Sequence, residues 1–142
     1  MLWITALMLL GLIIVFVTYM SWKRKKIIEA FQALKLSGLT FIIGPEFASY
    51  RGATAQYGRV KCDGVIGLSP DKLIFIPFIG PKKEILTNNI CRVDEQKTFL
   101  GQFRAGVHVL VIHEDKADIG FFVKDIATWQ NAIEALIPKE DR

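Results

Sequence analysis

The sequence predicts a mainly β protein: an N-terminal transmembrane helix, then an antiparallel β-barrel or sandwich of about seven strands capped by a C-terminal α-helix. Three observations predict it. Leu2 to Met20 carries no charged residue. After Gly38 the apolar residues change from a helical to an alternating period, in short runs separated by turn residues. From Ile126 to Ile137 the helical period returns.

With 142 residues, 51% hydrophobic and 23% charged, the chain is long and apolar enough for one folded domain and is not disordered. Two cysteines, Cys62 and Cys91, are too few for a disulfide framework. The net charge of +4 is local: Lys23, Arg24, Lys25 and Lys26 account for it, and the remaining 14 basic residues balance the 14 acidic ones. A nucleic-acid partner is therefore not expected, because phosphate neutralisation needs a basic excess on the folded part.

The anchor is assigned to residues 1–22. In Leu2 to Met20, 16 of 19 positions are hydrophobic, the exceptions being Thr5, Gly11 and Thr18. As a helix this stretch is roughly 28 Å long, close to the hydrocarbon thickness. Leu2, Phe16 and Met20 lie in or beside the apolar run, and Trp3, Tyr19 and Trp22 sit near its two ends as interfacial aromatics do. A cleaved signal peptide would need a basic start, a shorter apolar core and a small-residue cleavage site, and these are missing here. Because the four cations follow the span, the positive-inside rule puts the N-terminus outside. The rest then lies in the cytoplasm, at a plasma or inner membrane. There Lys23 to Lys26 face anionic lipid, and the two thiols are expected to stay reduced and buried as small apolar groups.

Residues 23–38 are expected to extend the anchor as a basic juxtamembrane helix. Ile27, Phe31 and Leu34, with Ala30 and Ala33 beside them, form an apolar stripe, and Ser37-Gly38 supplies the stop. That stripe has three possible resting places: the membrane surface, the domain, or a second copy of the chain. Packing on the domain is the plainest, since such stripes usually face a core.

The folded domain is assigned to residues 39–142. Leu39 to Ile43 ends at Gly44-Pro45, and Phe47 to Gly52 is a strand followed by the small residues of Ala53 to Gly58. Arg59 to Ser69 alternates, with Val60, Cys62, Ile66 and Leu68 on one face and Gly64 and Gly67 marking a bulge or bend. Ser69-Pro70-Asp71-Lys72 turns the chain into Leu73 to Phe78, apolar on both faces and therefore central. Gly80-Pro81 interrupts, Lys83 to Leu86 resumes, and Asn88-Asn89 turns again. Further strands are expected at Ile90 to Gln96, Val107 to His113 and Ala117 to Val123. Asp125 then caps a helix with apolar positions Ile126, Trp129, Ile133, Leu136 and Ile137, ended by Pro138.

Three segments resemble the pleckstrin-homology superfold, in particular its GRAM and bacterial PH-like branch. Gly64 to Pro77 is similar to the family's glycine, strand, turn and L-x-F hairpin. Glu84 to Asp94 is similar to the next strand pair, with Ile90 and Val93 at its I-x-x-V positions. Phe121 to Leu136 is similar to the last strand and helix, with Trp129 as the inward tryptophan. The resemblance covers roughly residues 47 to 137 and rests on core and turn patterns, so it implies a fold more than a function.

No catalytic pattern emerges from the residues. His108 and His113, five apart in one strand, fall on opposite faces and do not make a metal site. The cysteines have no CxxC context, and nucleophile-elbow, P-loop and dinucleotide signatures are missing. Neither an enzyme, a cofactor nor a metal is expected. The resemblance implies a headgroup rim at the open end of the barrel, which here holds Arg51, Arg59, Lys61, Lys82 and Lys83. Beside it Phe78 and Ile79 form an apolar loop tip suited to dipping into an interface. The competing reading makes these solvated surface charges with Phe78 and Ile79 completing a strand, and the neutral charge of the domain favours it. The expected role is a membrane-anchored binding or scaffolding module, an adaptor or assembly subunit with a protein partner or a further copy of itself. Weak binding of anionic lipid headgroups is the alternative.

Overall fold

The structure is a computed structural model and describes residues 1–103 and 105–139. The last residues assigned to the domain, 140–142, lie outside the described residues.

A single helix, α1 (Leu2–Leu36), runs through both the apolar stretch and the basic run. The boundary drawn at residue 22 is thus a change of composition without a break in the backbone. The helix is long and apolar enough to cross a membrane. Its side chains from Leu2 to Trp22 are exposed, whereas Ala30 and Leu34 are buried. It stops where expected: the Ser37 hydroxyl donates to the Leu34 carbonyl at 2.5 Å, and Gly38 takes the left-handed conformation.

Among the described residues nine strands follow: β1 (Ile43–Ala53), β2 (Cys62–Leu68), β3 (Lys72–Pro77), β4 (Lys83–Leu86), β5 (Ile90–Gln96), β6 (Thr98–Phe99), β7 (Gln102–Phe103), β8 (Val109–Glu114) and β9 (Asp118–Phe122). Seven form one antiparallel sheet in the order β4-β3-β2-β1-β9-β8-β5, and β6 and β7 make a separate small hairpin. The mainly β architecture is as the sequence predicts, but the sheet is not closed into a barrel. β4 and β5 are consecutive, joined by the 3-10 turn Thr87–Asn89, yet they are its two edges. Closure comes instead from α2 (Ile126–Leu136), whose Trp129 and Ile133 fill the concave face with Tyr50, Phe75, Leu110 and Phe121. The Trp129 indole N–H donates to Glu46 Oε1 at 2.6 Å, tying α2 to β1. Asp125 caps α2 by accepting from the Thr128 amide.

The convex face is covered twice. α1 lies on β2 and β3 through Ala30 and Leu34 against Val65 and Ile74. The β6–β7 hairpin covers β8 and β9, with Phe99 against Val109 and Val111. Gly64 and Gly67, expected to mark a bulge, lie in β2 where its pairing with β3 is regular. The irregularity sits in β1, between Ile43 and Glu46, around the cis Gly44-Pro45 bond. Gly67 serves close packing: a Cβ there would meet the Phe41 ring at 2.6 Å.

Candidate functional site

The second half of α1 fixes which end of the domain lies nearest the apolar stretch of the helix. Near Tyr19, Trp22 and Lys23 the helix shares a hollow with Lys61 before β2 and with Ile79 after β3. Further along, Leu34 shares another hollow with Lys72 and Ile74, at the opposite end of β3. From Lys23 to Leu34 the helix rises roughly 17 Å, and Lys72 to Phe78 spans roughly 20 Å of strand. Helix and strand therefore run alongside one another. The β1–β2 and β3–β4 loops lie level with Tyr19 and Trp22, and the Ser69–Lys72 turn and Leu86 form the far end.

Two apolar side chains project from the near end: Val60 is 82% exposed and Ile79 is 71% exposed. The alternation puts Val60 in a strand on one face with Cys62, Ile66 and Leu68, but β2 begins only at Cys62 and Val60 belongs to the preceding loop. The flanking Arg59 and Lys61, both exposed, were the available signal: an apolar residue between two cations suits a loop tip better than a core. β3 ends at Pro77, so Phe78 and Ile79 do not complete a strand. They divide: Ile79 faces outward, while Phe78 packs edge-on to Phe47, the ring centroids 6.1 Å apart. Tyr19 and Trp22 stack at 6.3 Å on the helix beside this loop.

The five rim cations do not form one cluster. Arg51 lies on the convex face, its guanidinium 4.4 Å from the Phe122 ring centre and donating to Gln102 Oε1 at 2.9 Å. Lys83 lies on the concave face, with Nζ 4.6 Å above the Tyr50 ring. The alternation of strand side chains separates them, since Tyr50 and Arg51 are neighbours in β1. Lys82 points back to the side of α1 and pairs with Glu84 at 2.8 Å, which holds the Glu84 carboxyl below its ordinary value. Of the five, Arg59 and Lys61 are exposed beside the loop tips and make no ion pair among the described residues.

Basic groups on α1 complete the near end. Lys23 lines three hollows between helix and domain. Lys26 pairs with Glu29 at 3.5 Å, whereas Lys23, Arg24 and Lys25 make no ion pair among the described residues. Lys124, just after β9, was not singled out in the sequence, and it faces Lys23 across one of these hollows.

The other polar groups serve the fold. Tyr50 donates to the Gly58 carbonyl and Tyr57 to Glu114 at 3.0 Å, pinning the β1–β2 loop. Burial pushes both phenols up to about 12 and raises the Glu114 carboxyl. His113 is held by Asp118 at 2.6 Å and Asp94 at 3.1 Å, and His108 by Glu95, so the two imidazoles have separate partners. No cluster of metal-binding side chains occurs among the described residues. Cys62, expected to be buried, is half-buried, and that burial raises its thiol. Cys91, expected to be buried, is exposed: it faces outward on the edge strand β5, with its thiol 3.1 Å from Asp115.

No protein-family model matches the sequence, and no curated protein does. Among solved structures, the C-terminal domain of an unknown protein from Leishmania infantum is 15% identical, with a TM-score of 0.43, covering 72% of this chain and 88% of that one. A structure from a systematic screen for protein–lipid interactions in Saccharomyces cerevisiae is 13% identical, with a TM-score of 0.42, covering 66% of this chain and 94% of that one.

Proposed function

We propose that this is a single-pass membrane protein whose pleckstrin-homology-like domain is a binding module held at fixed height and orientation on the membrane surface. In this reading it acts as an adaptor or assembly subunit, with the N-terminus outside and the domain in the cytoplasm. One observation supports it above others: α1 continues without a break from its apolar stretch onto the domain, docking through Ala30 and Leu34 on Val65 and Ile74. A domain recruited by its own lipid affinity needs only a flexible tether, or none. A rigid dock instead keeps one end against the bilayer and offers the other, with the edges of β4 and β5, to a protein partner.

The exposed Val60 and Ile79 beside Tyr19 and Trp22 favour a second contact with the membrane, in which the loop tips enter the interface and Arg59 and Lys61 meet anionic headgroups. Such contacts are weak singly. Tethering supplies an effective lipid concentration of roughly millimolar or more, so they orient the domain without having to recruit it.

The test uses the full chain in phosphatidylcholine–phosphatidylglycerol vesicles, with Cys62 and Cys91 replaced by serine and single spin labels at Val60→Cys, Ile79→Cys or Leu86→Cys. Relaxation by lipid-soluble oxygen is expected to dominate at the first two positions, and relaxation by an aqueous nickel complex at Leu86→Cys. Aqueous behaviour at all three sites refutes the fixed orientation. A photocrosslinker at Leu86 in native membranes then tests for the protein partner. A discrete adduct is expected that is lost when Leu34→Asp undocks the helix.

A further inference from the structure

Among the described residues the buried contacts of α1 with the convex face begin at Ala30, and before that point hollows lie between helix and domain and make a wedge. Its lower part, about 700 Å³, is lined by Phe16, Val17 and Met20 of the apolar stretch, by Lys23 and Arg24 above them, and by Phe47 of β1. Its upper part, about 460 Å³, lies between Lys23 and Lys124, with Ser49 and Asp63 on the domain side. Phe47 borders both parts and is 51% exposed.

We infer that this wedge holds one anionic glycerophospholipid of the leaflet facing the domain. The inference rests on the anchored reading above, and it concerns a site apart from the headgroup rim and the loop tips. The polarity of the wedge changes along the helix as a lipid changes along its length. From Phe16 to Lys23 the helix rises roughly 10 Å, from the acyl region to the level of the phosphate. Acyl chains fit against Phe16, Val17 and Met20, and Phe47 covers the glycerol region. Lys23, Arg24 and Lys124 meet the phosphate. No carboxylate pairs with any of the three among the described residues, so their charge is available to a ligand. Asp63 suits the hydroxyls of a polyol headgroup, accepting hydrogen bonds from them.

Other occupants match less of the wall. A free phosphate would meet the cations and leave the larger, apolar part empty. A zwitterionic lipid such as phosphatidylcholine would fill the apolar part and bring the same phosphate, but its choline ammonium would lie beside three cations. The volume of the lower part is within the roughly 300–1,000 Å³ usual for small-ligand sites.

Native mass spectrometry of the full chain, released from detergent micelles holding equimolar phosphatidylglycerol and phosphatidylcholine, tests the site. One retained phosphatidylglycerol per chain is expected, preferred at least about fivefold, the factor that a single cation contributes near anionic lipid. Lys23→Gln with Lys124→Gln should bring the preference close to parity. Lys35→Gln with Lys97→Gln removes the same charge at exposed positions away from the wedge and the basic run, and should leave the preference intact. Parity in the unaltered chain, or an equal loss in both double variants, overturns the site. Alkaline carbonate extraction separates the two readings. A chain that carbonate releases refutes the anchor itself, whereas a chain that resists carbonate and shows no preference refutes the lipid site alone.

Discussion

Leu34→Ala tests the dock on which the functional reading depends. Leu34 is 1% exposed between α1 and the sheet, and the substitution removes three carbon atoms. A hollow of about 150 Å³ already lies beside it, lined by Ser37, Leu39 and Ile74. The truncated site therefore opens to solvent instead of leaving a sealed void, and the cavity contribution is small. What is lost is the transfer term, about 0.8 kcal/mol per buried carbon, or about 2.4 kcal/mol in all. Undocking of α1 should become about 60-fold more frequent. A thiol at Val65→Cys, in a Cys62→Ser, Cys91→Ser background, reads this directly, because Val65 is fully buried under the helix. Its maleimide labelling in vesicles should accelerate by that factor. A thiol at Leu110→Cys, in the concave core, should stay protected. Equal labelling of Val65→Cys with and without Leu34→Ala would refute the dock. Acceleration at both sites alike would show that the helix and the core open together, and would refute its being a separate contact.

Two further outcomes are expected. Trp129→Phe removes the indole donor to Glu46 and should cost about 2–3 kcal/mol, read as a lower urea midpoint at unchanged slope, while Glu46→Gln, which keeps an acceptor, should cost less. The Thr128 side chain and amide hold the Asp125 carboxyl below its ordinary value of 3.8, so its cap is at full strength above that pH and is lost as pH falls through the lowered value. Asp125→Asn should therefore flatten the acid limb of the melting temperature against pH, and an unchanged limb would contradict the capping geometry.

Much of the architecture follows from local sequence. The uncharged stretch of Leu2 to Met20 made a helix, Asp125 capped α2, and Ser69-Pro70-Asp71-Lys72 made the β2–β3 hairpin, because backbone sterics, capping and period act over a few residues. The stripe of Ala30, Phe31 and Leu34 announced a buried face. Only the tertiary structure decided which surface buries it, since a helical stripe is complementary to any apolar surface of matching width. Closure is also non-local: whether β4 and β5 pair depends on how far the sheet curls and whether α2 fills the gap, and neither is encoded in the two strands. The same holds for the site. Composition identified the cations, but the alternation along β1 sent Arg51 and the neighbours of Lys83 to opposite faces. Val60 and Cys91 went astray for a related reason, because exposure depends on where a strand begins and which strand becomes an edge. Lys23 and Lys124 are 101 positions apart in sequence. What sets them across one wedge is the docking of α1 on the sheet, which no short stretch of sequence contains.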